Sequence, residues 1–320
     1  MESTSNLVTI FGGAGFIGTQ VVQLLARRGY RIRVAVRRPD LAGHVRPLGA
    51  VGQVMPIQAN IRNRESVERA IRGAGVVINL VGIGHEGGKQ RFRAVHAMGA
   101  KNVAEAAKAL GVSTLVHVSA LGADPQAPSG YARSKALGET EVLAAFPSAV
   151  VIRPSIVFGP GDGFFNRYGM LARMLPVLPV IGAKSRLQPI YVGDLAEAIC
   201  RAAEGQVKGG KIYELGGPEI ATQKELVARV LTDTGRTNLL LPLPAGPAKL
   251  LALPLSLLPS PLITSDQVDQ LQADNVVSEE AKREKRTLAA FDVAPTAMDA
   301  ILPSYLWRFM KNGQFDRQTA

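Results

Sequence analysis

The feature that most constrains this chain is the glycine-rich turn at residues 12–18, between a β-prone segment and a helical one. Residues 7–11 are apolar and β-prone, the turn reads Gly-Gly-Ala-Gly-Phe-Ile-Gly, and a second β-prone segment follows at 31–38. A strand, a glycine turn, a helix and a strand in this order form a βαβ unit with a dinucleotide-binding fingerprint. The alternative is a glycine-rich turn without a ligand.

The glycines of this turn have different predicted roles. An early glycine lets the chain turn sharply, Gly15 lets backbone N–H groups approach a pyrophosphate, and Gly18 lets helix and strand pack closely. The phosphates would then lie at the helix N-terminus, where unpaired N–H groups favour anions. The predicted cofactor-binding residues of the turn are Gly12, Gly13, Gly15, Phe16, Ile17 and Gly18.

The end of the second predicted strand indicates which dinucleotide binds. An NAD site needs a carboxylate about 20 residues after the glycines, to accept a hydrogen bond from the ribose 2′-hydroxyl. This strand instead ends in Arg37 and Arg38, and the first acid is Asp40. Because guanidinium groups bind phosphate by paired hydrogen bonds, we predict NADPH or NADP as the cofactor. The alternative is two solvated arginines at a strand end.

The charge of the chain indicates an anionic partner. Its 37 Lys and Arg against 26 Asp and Glu give a formal net charge of +11. A phosphate cofactor, an anionic lipid, an acidic protein face or a nucleic acid would suit this charge. Aromatic residues are only 5% and are not interleaved with the basic ones, so we predict no nucleic-acid partner. Part of the excess is expected near the cofactor, in Arg31, Arg33, Arg37 and Arg38.

The single cysteine, Cys200, excludes an internal disulfide framework and a multi-cysteine metal site, and we predict no metal. A reducing compartment is compatible with this count. The first predicted strand begins near the start of the sequence, so we expect no leader peptide and a bacterial-type cytoplasmic location if that start is native.

Alternating strands and helices continue the first βαβ unit. Residues 76–81 form a short apolar run typical of a strand buried on both faces, and 114–119 form the next strand. We therefore predict an α/β fold with a doubly wound, Rossmann-type parallel sheet. The loop 84–89 should overhang the carboxyl edge of this sheet. Its adjacent His85 and Glu86 are predicted to be solvated; the alternatives are metal ligands or an acid/base pair.

Tyr131 and Lys135 open a later predicted helix, following a strand that ends in Ser119. Residues four apart lie on one face of a helix, about one turn apart. A phenol beside an ammonium can exchange a proton with a carbonyl or an alcohol, while the lysine also holds a cofactor ribose. The pair can also hold a cofactor without any turnover.

These motifs resemble the extended and atypical short-chain dehydrogenase/reductases. The resemblance rests on Gly12-x-x-Gly15-x-x-Gly18, on Tyr131-x-x-x-Lys135, and on 153–162, 188–194 and 213–218. Residues 118–123, the Pro-rich apolar stretch after 238 and 262–278 are most similar to the NADPH-binding accessory subunit of respiratory complex I, the alpha subcomplex subunit 9 family, and its bacterial relatives. The remaining predicted cofactor contacts are Asn60, Ile61, Val81, Gly82, Ser119, Tyr131, Lys135 and Pro154.

One position departs from the pattern of active members of the superfamily. In those members the strand before the tyrosine usually ends in a Ser/Thr run whose later hydroxyl polarises the substrate carbonyl. Here Ser119 is followed by Ala120 and Leu121, and the side chain of leucine cannot donate a hydrogen bond. Loss of a positioned donor typically costs about 10²–10³ in rate. The candidate catalytic residues are thus Tyr131, Lys135 and a vestigial Ser119.

We predict two domains. Residues 1–155, with 187–215 returning, form the NADP(H)-binding domain, and 156–186 with 216–320 form a smaller substrate-like or docking domain. Within the latter, residues 239–263 are strongly apolar but interrupted by prolines, so they cannot span a bilayer. They either contact a membrane interface or partner groove, or pack on the protein's own core. The aromatic segment 305–310 either anchors to a partner or caps the smaller domain.

The resemblance implies an NADP(H)-binding, non-catalytic accessory or assembly subunit of NADH:ubiquinone oxidoreductase. The implied partners are peripheral-arm subunits near the membrane, on the cytoplasmic side of a bacterial inner membrane. The alternative is a free-standing cytoplasmic reductase, epimerase or dehydratase that uses Tyr131 and Lys135.

Overall fold

The computed structural model describes residues 6–256, 261, 263–311 and 313. The chain divides into two compact units. The first unit comprises Met1–Pro154, Gly193–Leu215 and Ser278–Ala294, and the second comprises Ser155–Val192, Gly216–Val277 and Pro295–Ala320.

The strands are short and follow the apolar runs of the sequence. In chain order they are β1 (Leu7–Phe11), β2 (Arg31–Val36), β3 (Val54–Gln58), β4 (Val76–Asn79), β5 (Thr114–Val118), β6 (Val150–Pro154), β7 (Val157–Phe158), β8 (Val177–Ile181), β9 (Arg186–Leu187), β10 (Ile190–Tyr191), β11 (Lys211–Leu215), β12 (Ala221–Thr222) and β13 (Leu239–Leu243).

The helices alternate with the strands in the first part of the chain. They are α1 (Phe16–Arg27), α2 (Arg64–Ile71), α3 (Met98–Ala109), α4 (Gly130–Ala145), α5 (Phe165–Met174), α6 (Val192–Ala203), α7 (Gln223–Asp233), α8 (Ala245–Leu255), α9 (Ser265–Leu271), α10 (Glu279–Arg283) and α11 (Met298–Leu306). Segments of 3₁₀ helix occur at Pro39–Leu48, which is kinked at Ala42, and at Leu288–Phe291 and Trp307–Phe309. A π-helical turn at Arg93–Ala97 precedes α3. None of the helices in the described part of the chain has the length and apolar character needed to cross a membrane.

The first unit is built on a seven-stranded sheet with the order β11-β6-β5-β4-β1-β2-β3. Every neighbouring pair in it is parallel. The order reverses between β1 and β4, which is the switch point where ligands bind in open α/β sheets. The predicted doubly wound parallel sheet is confirmed.

The first unit also includes residues 278–294, which the sequence analysis placed in the smaller domain. The backbone N–H of Glu214, on the edge strand β11, donates to the carbonyl oxygen of Arg286 at 2.9 Å. The carboxylate of Glu214 accepts the N–H of Ser278 at 2.8 Å. These contacts are non-local, so no local pattern could predict them. Residues 155 and 187–192, predicted in the first domain, lie in the second unit.

The second unit contains three two-stranded pairs, β7 with β10, β8 with β13 and β9 with β12. Its main core includes Phe158, Phe165 and Leu302. Tyr305, Leu306 and Phe309 are buried in the same core, so the segment 305–310 caps this unit. Residues 314–320 lie outside the described residues.

Helix α8 has an unusual distribution of residues. Its small residues Ala248 and Ala252 pack against a core that contains Ile181 and Val268. Its leucines Leu250, Leu251 and Leu253 point outward and are 69%, 56% and 60% exposed, respectively. The helix therefore buries its alanines on its own unit and leaves its largest apolar side chains uncovered. Residues 257–260 and 262 of the predicted contact segment 239–263 lie outside the described residues.

Candidate functional site

A cleft with a volume of about 470 Å³ lies at the switch point of the sheet in the first unit. Its walls come from the carboxyl ends of β1, β2, β3 and β4 and from the loops that follow them. Of the predicted cofactor residues, the cleft is lined by Gly12, Gly15, Arg37, Arg38, Asn60, Ile61, Val81 and Gly82.

The glycine turn is shaped as a close-packed cradle. Gly12 has φ +80°, in the left-handed region that favours glycine. A Cβ on Gly18 would lie 2.4 Å from the carbonyl oxygen of Gly12, so α1 packs directly against the turn. A Cβ on Gly15 would meet nothing closer than that same oxygen, at 3.4 Å. The structure thus requires glycine at position 18 for packing, whereas Gly15 leaves open space on the cleft side.

The N-terminus of α1 suits an anion. Gly15 is the N-cap residue, no described side chain caps the helix, and its first turn contains no acid. Phe16 and Ile17 are the first two residues of the helix, so their N–H groups belong to the first turn. Unpaired N–H groups at a helix N-terminus bind phosphate well. These residues fit a dinucleotide pyrophosphate.

The basic residues in and directly after β2 make different contacts. Arg37 and Arg38 are exposed at the mouth of the cleft, and Arg38 forms an ion pair with Asp40 at 2.7 Å. The guanidinium of Arg33 instead donates to the carbonyl oxygens of Ala70 and Arg72, at 3.3 and 2.6 Å. The expectation that Arg33 serves the cofactor is therefore wrong, because its side chain caps the end of α2.

Lys135 is buried beneath the candidate site. Its side chain projects from α4, is 4% exposed and donates from Nζ to the carbonyl oxygen of Val118 at 2.9 Å. Burial lowers the pKa of Lys135 to about 8, and the nearby carboxylate of Glu139 opposes this shift. Half-buried Tyr131 stands one turn earlier on α4, with its ring edge-on to the ring of His96.

The strand end before α4 carries one free hydroxyl. Ser119 is 5% exposed, and its Oγ has no hydrogen-bond partner among the described residues. An unpaired buried hydroxyl is costly, so this atom suits a ligand that would accept or donate a hydrogen bond there. Leu121 is buried, and its N–H donates to the carbonyl oxygen of Pro154 at 2.9 Å. Pro154, the last residue of β6, thus holds the turn that contains Leu121.

The cleft wall also contains residues that the sequence analysis missed. His44 lies in the 3₁₀ turn after β2, and its Nε2 is 3.2 Å from the carbonyl oxygen of Ala14. Arg62, two residues after Asn60, donates to the carbonyl oxygen of Lys89 at 2.7 Å. Because Arg62 directly follows a predicted cofactor residue, its place in the cleft wall could have been predicted from the sequence. No sequence feature indicated that His44 lies there.

The predicted residues fall into two groups by position. Beside the eight that line the cleft, Gly13 packs against Ile10 and Val34, and Gly18 packs against the glycine turn. Phe16 and Ile17 begin α1. Ser119, Tyr131, Lys135 and Pro154 lie around the ends of β5 and β6 and the start of α4. Whether both groups contact one nucleotide remains a prediction.

Glu86 shapes the loop 84–89 through its local contacts. His85 is half-buried, while Glu86 accepts the N–H of Phe92 at 2.7 Å and pairs weakly with Arg91 at 3.5 Å. No group of three potential metal ligands occurs among the described residues. Glu86 therefore has a local structural role that shapes the loop.

Several known proteins are similar to this chain over most of its length. It is 34% identical to NADH dehydrogenase (ubiquinone) 1 alpha subcomplex subunit 9 of Arabidopsis thaliana, over 98% of this chain and 80% of that protein. The Dictyostelium discoideum protein of the same name is also 34% identical, over 73% of this chain and 66% of its own length. Ceramide reductase of Caulobacter vibrioides is 37% identical, over 61% of each protein.

Solved structures share the fold over nearly the whole chain. The UDP-glucose 4-epimerase of Thermus thermophilus, in complex with NAD, superimposes with a TM-score of 0.69 at 23% identity and covers 98% of this chain and 100% of that one. At this identity the likeness shows the fold alone. Residues 8–216 match the NAD dependent epimerase/dehydratase family. The match spans the glycine turn, the cleft and the Tyr131–Lys135 pair, and the chain belongs to this family of Rossmann-fold proteins.

Proposed function

We propose that the cleft of the first unit binds NADPH or NADP. The observation that carries this proposal is the pairing of a glycine cradle with two exposed guanidinium groups, Arg37 and Arg38, at the mouth of one cleft. The cradle and the α1 N-terminus suit a pyrophosphate, and the guanidiniums suit a 2′-phosphate. Arg38 forms an ion pair with the exposed Asp40, whereas no acid of the described residues pairs with Arg37, so Arg37 is the better placed of the two to bind a phosphate.

In this proposal the main role of the nucleotide is to stabilise the folded protein, and hydride transfer is secondary. Leu121 occupies the turn position at which the resemblance implies a substrate-polarising hydroxyl, and its side chain is buried. A positioned donor is typically worth about 10²–10³ in rate, so its absence argues against efficient turnover. A ligand present at 100 times its dissociation constant stabilises the folded state by about 2.7 kcal/mol. The cofactor can therefore act as a structural element.

The outward leucines of α8 support a docking role for the second unit. A helix that buries alanines and exposes leucines gains by burying its exposed face elsewhere, at roughly 1.5–3 kcal/mol for each leucine fully covered. Lys249 forms an ion pair with Asp269 of α9 at 2.6 Å, which fixes the orientation of the helix. Exposed apolar clusters of this kind mark interaction surfaces.

These features support an accessory or assembly subunit of NADH:ubiquinone oxidoreductase. The relatives in Arabidopsis and Dictyostelium are named as subunits of NADH dehydrogenase (ubiquinone). The protein would dock on peripheral-arm subunits near the membrane, with segment 239–263 at the membrane interface. Its location would be the cytoplasmic face of a bacterial inner membrane, held peripherally.

Affinity purification in mild detergent tests this role. Mass spectrometry should find NADH:ubiquinone oxidoreductase subunits and tightly bound NADPH with the wild-type chain. The triple variant L250S/L251S/L253S should keep the nucleotide and lose the subunits. The triple variant V51S/M55S/L110S replaces exposed apolar residues of the first unit and should keep both. Recovery of the wild-type protein alone would contradict the accessory role.

A second candidate is a free-standing reductase, favoured by the intact Tyr131 and Lys135. A nicotinamide bound there would supply a hydride, and Tyr131 would supply the proton to a carbonyl oxygen. The similarity to a ceramide reductase gives this candidate a lipid-like carbonyl compound as substrate. NADPH oxidation with a panel of long-chain ketones tests it: Y131F should abolish any turnover, and an absence of turnover in the wild type would exclude this candidate for those ketones.

A further inference from the structure

His96 connects the two groups of residues in the candidate site, although nothing proposed above uses it. It is 2% exposed and lies in the π-helical turn Arg93–Ala97, next to Val95 of the cleft wall. π-Helical turns interrupt regular helices and are frequent at functional sites. The turn places the His96 ring between the loop after β4 and the start of α4.

The two ring nitrogens of His96 bond to different elements. Nε2 accepts the N–H of Ile83, in the loop after β4, at 2.9 Å. Because Nε2 accepts, the proton of the neutral ring is on Nδ1, which donates to Oγ of Ser134 at 2.8 Å. The Ser134 hydroxyl donates in turn to the carbonyl oxygen of Tyr131 at 2.7 Å. A continuous chain of hydrogen bonds thus runs from the cleft wall to the backbone of Tyr131.

The His96 ring also packs directly against the phenol. The rings of Tyr131 and His96 meet edge to face, with centroids 5.2 Å apart. Phe92 stacks on His96 at 5.5 Å and lies edge-on to Tyr131 at 5.8 Å, so the three rings contact one another. Edge-to-face aromatic pairs favour a defined ring orientation. A Cβ on Gly138 would lie 2.4 Å from the carbonyl oxygen of His96, so α4 touches the backbone of the π turn. His96 therefore contacts both the side chain of Tyr131 and the helix that carries it.

The chemistry of the imidazole keeps this arrangement constant near neutral pH. Burial, together with the nearby Lys135 ammonium, lowers the pKa of His96 to about 3. The ring therefore stays neutral, and Nε2 remains able to accept the N–H of Ile83.

We infer that His96 is a positioning residue of the nucleotide site: its neutral imidazole holds Tyr131 in register with the cleft wall at Ile83, so that both can contact one bound dinucleotide. This inference rests on the proposed function. It assigns to His96 no contact with the nucleotide and no proton transfer.

Nucleotide binding by matched variants tests this inference. H96F keeps the ring packing but loses both hydrogen bonds, and should weaken NADPH binding by about tenfold. H96Q keeps an acceptor for Ile83, whereas H96N keeps a donor for Ser134, so each should lose less affinity than H96F. S134A removes the link to Tyr131. T140A is the control: it removes a hydroxyl of α4 whose one partner among the described residues is the carbonyl oxygen of Ala136. S134A leaves the Nδ1–H of His96 unpaired and should lower the unfolding midpoint, so binding is compared under conditions in which all variants are folded. There S134A should bind NADPH more weakly, and T140A should bind it like the wild type.

A double-mutant cycle separates positioning from a general structural effect. If His96 acts through Tyr131, the loss of affinity in H96F/Y131F should be smaller than the product of the two single losses. The amide of Ile83 should also exchange with solvent faster in H96F and H96N than in H96Q or the wild type.

The outcomes distinguish the inference from the function on which it rests. If the wild type binds NADPH and H96F and S134A bind it with the same affinity, the role of His96 is overturned and the proposed function still stands. Should H96F fail to fold, S134A and the exchange of Ile83 in H96N decide the question. A folded wild-type chain that binds no NADPH would overturn both.

Discussion

The ammonium group of Lys135 donates a hydrogen bond of 2.9 Å to the carbonyl oxygen of Val118, at the end of β5. This bond ties the helix that carries Tyr131 to the strand that leads to Ser119. Lys135 is 4% exposed, so water does little to stabilise its charge.

The buried position of Lys135 predicts a pH dependence of nucleotide binding. The pKa of Lys135 is lowered to about 8 because burial disfavours the charged form. If the ammonium donates to the ribose, its loss above that pH should weaken NADPH binding by about tenfold between about pH 7 and pH 10. Fluorescence titration should show this loss in the wild type and in K101Q, which removes an exposed charge. K135Q should bind weakly and without this pH dependence; a wild-type affinity that stays constant would contradict the assignment.

The glycine turn predicts two different consequences of adding a methyl group. In G18A the new Cβ would overlap backbone atoms of Gly12 and Gly13, so stability should fall by about 2 kcal/mol. In G15A the Cβ has ordinary contacts, so stability should persist while the space for a pyrophosphate is filled. Denaturant unfolding and NADPH titration separate the two effects. G43A adds its methyl group to open space and serves as the control; equal stability losses in G15A and G18A would contradict this reading.

The buried histidines predict a loss of stability in acid. Burial holds the pKa of His96 at about 3 and that of His117 well below its usual value. The unfolded chain binds these protons near pH 6.5, so it holds more protons than the native state below that pH, and the free energy of unfolding falls as the pH drops toward about 3. Each histidine adds up to about 1.4 kcal/mol per pH unit to the slope of the free energy of unfolding against pH.

The contribution of His96 can be measured by difference. The free energy of unfolding is measured in urea for the wild type and H96F at several pH values between about 4 and 6. It should change less with pH in H96F, because that variant has no histidine at position 96 to take up a proton on unfolding. Parallel curves for the two proteins would show that His96 titrates normally.

Arg153 predicts a large effect on stability. Its guanidinium binds Glu139 through two hydrogen bonds of 2.8 and 2.6 Å and lies 3.4 Å from Glu214, and both carboxylates are buried. Replacement by methionine leaves two buried acids without their cation, which should cost about 3 kcal/mol in the free energy of unfolding. Urea unfolding of R153M measures this cost. K101M breaks the more exposed pair of Lys101 with Glu141 and should unfold close to the wild type, so equal behaviour of R153M and K101M would refute the prediction.

Local patterns were sufficient to predict the nucleotide-binding half of the fold. The apolar run before Gly12, the helix after it and the run ending at Arg37 each have a periodicity that specifies one type of element. Since such units join in parallel with one handedness, the sheet and the position of the cleft follow.

Non-local contacts could not be predicted in this way. Arg33 and Arg37 are both basic residues of one segment, yet only the structure shows that Arg33 bonds to the end of α2. Residues 91–109 form an alanine-rich stretch in which no local pattern indicates the π turn that orients His96. On α8, composition could not show that alanines face inward and leucines outward, because which face is covered depends on distant residues such as Val268.

The most direct test of this account is a calorimetric titration of the purified wild-type chain and of R37D with NADPH and with NADH. The account predicts that the wild type binds NADPH more tightly than NADH by at least about tenfold, and that R37D loses most of this preference because the 2′-phosphate meets a carboxylate. A folded wild-type protein that binds neither nucleotide, or a preference that R37D leaves unchanged, would contradict it.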